Sequence, residues 1–120
     1  MATPSDELKQ SRSELISLFS AGEGSETFQE NCTEIVDHYF RRGVQESEAG
    51  QRLFRDKRPF ALVALGGYGR RDLCVHSDID VLILFDSKIP TSAGKLAQDV
   101  FYPLWNLGLD LGHAIRGIKD

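Results

Sequence analysis

Cysteine is nearly absent from the 120 residues: Cys32 and Cys74 stand alone. They form no CxxC pair and no zinc-ligand spacing, so neither a disulfide framework nor a Cys/His metal site organises the chain. No apolar run approaches the ~18–20 residues of a membrane span. Basic residues are not in excess: Lys plus Arg is 14 against 18 for Asp plus Glu, a net charge of −4. That balance argues against general nucleic-acid binding, which favours a broad basic surface. The opening residues Met1 to Glu7 are polar and acidic, unlike a secretory signal. Internal repeats and low-complexity segments are lacking. The expectation from these absences is a reduced, cytoplasmic protein with no membrane and no nucleic-acid partner.

What is present is an ordinary globular mixture, 41% hydrophobic and 27% charged, at a length that suits one domain or part of one. The charge is uneven. Residues 1–51 carry a net −6, residues 52–72 a net +4 and residues 73–120 a net −2. The basic stretch (Arg52, Arg55, Lys57, Arg58, Arg70, Arg71) suits a small anionic ligand. Equally, Arg52 to Arg58 reads as a solvated helix end and loop.

Thr3 can cap a first helix, with Pro4 at its first position, Asp6 and Glu7 in its first turn, and Leu8, Leu15, Ile16, Leu18 and Phe19 as its apolar side. Gly22 to Ser25 breaks it, and Ser25 is the expected cap of a second helix. There Phe28, Cys32, Ile35, Val36, Tyr39 and Phe40 fall on one face. Gly43 is expected to end or bend this helix, with residues 44–54 resuming it. Nothing in these helices reads as catalytic: His38 is taken as structural and Cys32 as core packing. After Pro59 the period changes. Phe60 to Leu65 is a continuous apolar run of strand length, and Ile79 to Phe85 is a second. Thr91 or Ser92 can cap a third helix bearing Leu96, Val100, Phe101, Leu104 and Leu107, with a kink expected at Pro103 and an end at Gly108. A third strand is expected over residues 109–115.

The chemistry concentrates between the first two strands. Residues i and i+2 of a strand share a face, so Asp78 and Asp80 project together with Cα atoms roughly 6.5–7 Å apart. Two carboxylates so close repel, and a divalent cation turns the repulsion to use. Mg²⁺ prefers one or two carboxylates plus phosphate oxygens. Gly66-Gly67-Tyr68-Gly69 ends the first strand with a turn whose missing Cβ atoms let backbone N–H groups approach a phosphate. Arg70 and Arg71 add charge there, and the arginine fork matches phosphate geometry. A dinucleotide-binding reading of Gly67-Tyr68-Gly69 fails, because Asp72 stands where the third glycine is needed. Tyr68 reads as a cover for the turn, and His113 and Trp105 as packing residues. His76 could touch a phosphate or bond locally to the turn, and nothing marks Cys74 as reactive beyond the nearby arginines.

An apolar strand, a glycine pair, about ten residues and then a hydrophobic-flanked Asp-x-Asp resembles the polymerase-β-like nucleotidyltransferase superfamily. The wording Leu65-Gly66-Gly67-Tyr68-Gly69-Arg70, His76-Ser77-Asp78-Ile79-Asp80, Tyr102-Pro103-Leu104-Trp105 and Gly108-Leu109-Asp110-Leu111-Gly112-His113 with Arg116 is similar to one branch of it. That branch is the bifunctional uridylyltransferase/uridylyl-removing enzymes of the PII nitrogen-regulatory protein. The resemblance implies transfer of UMP from UTP to a tyrosine of PII with release of pyrophosphate. It implies that Gly66 and Gly67 hold the triphosphate and that Asp78 and Asp80 bind Mg²⁺ and are catalytic. It also implies that Arg70 touches a phosphate and that Ser77 helps through its hydroxyl or as a cap at the strand's start. Removal of UMP, in that family, belongs to a metal-dependent HD domain and glutamine sensing to ACT domains, neither of which is seen here.

The superfamily's third carboxylate is expected either at Asp110 or beyond residue 120. The expected fold is therefore α/β (α+β): a helical lead-in over residues 1–58, then over 59–120 the N-terminal part of a nucleotidyltransferase domain with a small mixed sheet, incomplete as it stands. Two other functions fit less well. One is a minimal stand-alone nucleotidyltransferase of toxin–antitoxin type using ATP. The other is a fragment that binds nucleotide or protein without turnover.

Overall fold

The Thr3 cap forms as the sequence predicts. Its side-chain oxygen accepts from the Asp6 N–H at 3.1 Å, and the Asp6 carboxylate accepts from the Thr3 N–H at 3.1 Å, a reciprocal capping pair that starts helix α1 (Pro4–Ser20). The computed structural model describes residues 2–23, 26–71 and 78–118. After α1 come α2 (Phe28–Glu46), α3 (Glu48–Arg55), β1 (Phe60–Leu65), the one-turn α4 (Gly66–Gly69), β2 (Ile79–Phe85), α5 (Ala93–Asn106) and β3 (Leu111–Gly117). This is the expected mixed α/β chain, helices leading into a small three-stranded sheet. Among the described residues no helix is long and apolar enough to cross a membrane.

The sheet order is β1-β2-β3, with β1 antiparallel and β3 parallel to β2. Central β2 alternates strictly. Ile79, Val81, Ile83 and Phe85 are buried, while Asp80, Leu82 and Leu84 are half-buried on the other face. The buried set packs with Val36, Tyr39, Phe40 and Val44 of α2, Leu53 of α3, and Leu96, Val100, Phe101 and Leu104 of α5 in one core. The N-terminal helices thus share a core with the sheet. Tyr39 ties α2 to α5 with a buried bond, its hydroxyl donating to the Val100 carbonyl at 2.6 Å. Burial pushes the Tyr39 phenol well above its ordinary range, which keeps it a donor.

Several elements depart from the sequence expectation. The helix break falls at Ser47, not Gly43. Ser47 is extended, and its hydroxyl accepts from the Gly50 N–H at 3.2 Å while donating to Asp99 of α5 at 2.7 Å. Gly43 stays helical at a close crossing, where a Cβ would sit 3.4 Å from Val100 Cγ1. Ser25 lies outside the described residues; α2 begins after Thr27, which makes no side-chain cap bond. Of the apolar side expected for α1 only Leu8 is buried, and Leu18 and Phe19 are exposed. Ser92 precedes α5 without a capping bond, and α5 runs on past Pro103 to Asn106. The third strand starts at 111 because the preceding residues finish the helix: Gly108 takes φ +80, and the Leu109 N–H still bonds the Leu104 carbonyl at 3.1 Å.

Candidate functional site

The register builds the site. Leu65, the last residue of β1, lies opposite Asp80, and Asp80 lies beside Gly112 of β3. The end of β1, where Gly66 and Gly67 follow, therefore meets the beginnings of β2 and β3. Asp78, exposed, stands just ahead of β2, and Asp80 is half-buried within it. Alternation along β2 puts Asp80 on the face opposite the core, and Asp78 lies one residue before the strand.

Two glycines make room for the Asp80 carboxylate. Gly66 has φ +57, in the left-handed region that L side chains rarely enter, and a Cβ there would lie 2.9 Å from Asp80 Oδ2. A Cβ at Gly112 would come closer still to Asp80 Oδ1. The carboxylate thus occupies a slot that only glycine on both sides leaves open. Neither the Asp78 nor the Asp80 side chain makes a hydrogen bond or ion pair among the described residues. Carboxylates are ligands that Mg²⁺ accepts together with phosphate oxygens, and Asp78 and Asp80 are the residues here that could hold it.

Asp110 stands level with Asp78 in the β2–β3 register, and its carbonyl accepts from the Ile79 N–H at 3.0 Å. Even so, no group of three potential metal ligands gathers among the described residues.

Arg70, exposed at the end of the turn, brings a guanidinium nitrogen to 3.9 Å from where a Gly67 Cβ would be, so the charge and the glycine share one place. Arg71 does not join it. At φ 62 it turns back to α2, with guanidinium nitrogens 3.6 Å from Asp37 and 3.9 Å from Glu34. Ser77, His76 and Cys74 lie outside the described residues.

Tyr68 covers the turn as expected and does more. It is buried, and its hydroxyl donates to Asp37 Oδ1 at 2.6 Å. Burial first, then the Asp37 carboxylate, pushes its phenol far above the ordinary range. His113 and Trp105 are packing residues: the His113 ring lies 4.9 Å from Phe101 and 5.3 Å from Trp105. His38 is structural at the surface, paired with Glu7 of α1 at 2.5 Å. Two residues received no role of their own from the sequence. Gly112 carried a signal, since a glycine inside a strand often marks a close approach. Asp37 carried none, being one acid among many on an acidic helix.

Residues 9–111, which take in the glycine turn and the Asp-x-Asp pair, match the DUF294 nucleotidyltransferase family, and the chain belongs to it. Within that class it is similar to the bifunctional uridylyltransferase/uridylyl-removing enzyme of Methylococcus capsulatus, 36% identical over 110 residues, which cover 91% of this chain and 12% of that protein. The enzyme of the same name from Azospirillum brasilense is 35% identical over 122 residues, covering 94% of this chain and 12% of that protein. The Streptomyces coelicolor enzyme is 46% identical over 56 residues, 47% of this chain and 7% of that protein. The chain spans about 12% of the length of the first two relatives. No solved structure gives a significant match.

Proposed function

We propose that this chain carries the nucleotide-handling part of a protein uridylyltransferase, which moves UMP from UTP to a tyrosine of a PII regulatory protein and releases pyrophosphate. The observation that supports it most is the register that sets Asp80 against the glycine turn on one side and Gly112 on the other. On this reading Asp78 and Asp80 hold Mg²⁺. The bound cation supplies neutralisation of the triphosphate charge. Gly66 and Gly67 admit phosphate oxygens to the backbone, and Arg70 pairs with a non-bridging oxygen. Ser77, the residue before Asp78 in the sequence, offers its hydroxyl. The acceptor phenol oxygen attacks the α-phosphorus in line; its bond to phosphorus forms as the bond to the bridging oxygen of pyrophosphate breaks, and the phenolic proton passes to solvent water.

The test is label transfer from UTP carrying ³²P at the α-phosphorus, with PII as acceptor and Mg²⁺ present. Label should appear on a PII tyrosine and vanish with Asp78→Asn or Asp80→Asn. Label delivered from ATP in preference to UTP would move the assignment to a minimal adenylyl-type transferase. Near-wild-type transfer by either variant would contradict the metal role.

A further inference from the structure

We propose that Asp37, on α2, is a positioning residue for the nucleotide turn, acting through Tyr68 and Arg71. This rests on the functional reading above and extends the site to a helix that carries no catalytic signal in its sequence. The turn cannot hold its own shape. It is four residues long, three of them glycine, and a single helical turn is unfavourable by itself. Two contacts fix it from outside. Gly69 lies so close to β1 that a Cβ would sit 2.6 Å from the Ala64 carbonyl oxygen. Asp37 supplies the other. Its Oδ1 accepts from the Tyr68 hydroxyl at 2.6 Å, and its Oδ2 lies 3.6 Å from Arg71. One carboxylate thus grips the chain on both sides of Gly69 and Arg70, and Arg70 is the residue proposed to meet a phosphate.

Tyr68 is held by packing and by its hydroxyl together. Its ring stacks on Phe40 with centroids 6.1 Å apart and borders an open groove lined by Phe40, Val44, Phe54 and Leu62 among others. The hydroxyl bond to Asp37 restricts the ring. The hold on α2 itself is separate: Val36, Tyr39, Phe40 and Val44 seat that helix in the core. Removing the Asp37 carboxylate should therefore loosen the turn while leaving the helix docked.

The test compares wild type with Asp37→Ala, Asp37→Asn and Tyr68→Phe. Two readouts are taken: amide hydrogen exchange and Mg²⁺-dependent UTP binding by calorimetry. The reporting amides are those of Arg70 and Arg71, which close the turn on the Gly66 and Tyr68 carbonyls at 3.1 Å each. Exchange there should accelerate roughly tenfold in Asp37→Ala while β2 amides keep their protection. UTP affinity should fall about tenfold in the same variant. Asp37→Asn keeps an acceptor for Tyr68 and should recover part of both. Tyr68→Phe should lose both while keeping the ring. A uniform rise of exchange across turn and sheet would overturn the proposal in favour of a general structural role. Unchanged affinity in a variant whose turn has loosened would overturn the nucleotide role. A wild-type chain that binds no UTP would overturn the functional reading, and the exchange readout would then still decide whether Asp37 holds the turn.

Discussion

Asp80 shows how much of the site depends on what is missing beside it. Its carboxylate fits because Gly66 and Gly112 have no side chains. Replacing Gly112 with alanine puts a methyl group in collision with Oδ1. The carboxylate is the mobile end of a short side chain, so it can swing away, and the fold should change in stability by no more than about 1 kcal/mol. Its aim is lost, however. Gly112→Ala should weaken Mg²⁺-dependent nucleotide binding by roughly 10–100-fold, the range seen when groups that orient metal ligands are altered. Parallel thermal melts and calorimetric titrations check the two halves, and unchanged binding would contradict the slot. The Asp78/Asp80 pair was legible in the sequence because strand alternation alone puts residues two apart on one face. Asp37 was not: its role arises from contacts with residues 31 and 34 positions away, and helical periodicity carries no information about such pairs. Arg71 was misjudged for a related reason. Its left-handed backbone turns it toward α2, and nothing in an Arg-Arg pair announces that.

The elements held their predicted types more firmly than their limits. Both apolar runs became strands, and the 3.6-residue pattern of α2 delivered its buried face. The helix break was misplaced because glycine has two uses, to end a helix or to let another element come close. Gly43 serves the second, beneath Val100, and Ser47 breaks the helix instead. The two glycines of this corner should respond oppositely to alanine. At Gly43 a Cβ meets Val100 at ordinary contact distance, 3.4 Å, so Gly43→Ala should stabilise by about 0.5–1 kcal/mol through helix propensity. At Gly50 a Cβ would collide with the Val44 carbonyl oxygen, which cannot move without disturbing α2. Gly50→Ala should cost about 1–3 kcal/mol. Urea unfolding with an unchanged slope would read both; equal effects of the same sign would contradict the assignment. The exposed end of α1 was also beyond the sequence. Its apolar residues satisfy a helical pattern, but among the described residues only Phe28 gives Phe19 an aromatic neighbour, at 4.5 Å.

At the scale of the molecule, the helices and the sheet divide the work. α2, α3 and α5 bury one face of the sheet, which fixes the strands rigidly enough to hold carboxylates and glycines in register. The opposite face carries Asp80 with Val63, Leu82, Leu84 and Ala114, all half-buried. At the end of that face the glycine turn, with Arg70 of the basic stretch after it, meets Asp80 and, just ahead of β2, Asp78. The sequence gives the charge of each part; only the antiparallel return of β2 along β1 brings them together. If this convergence is a nucleoside triphosphate site, the cation and the nucleotide must depend on each other. The most direct measurement is a calorimetric titration of the chain with UTP, with and without Mg²⁺, beside the Asp78→Asn/Asp80→Asn double variant. The account predicts UTP binding that requires Mg²⁺ and disappears in the double variant. UTP binding of equal strength without the cation, or undiminished by loss of both carboxylates, would contradict it.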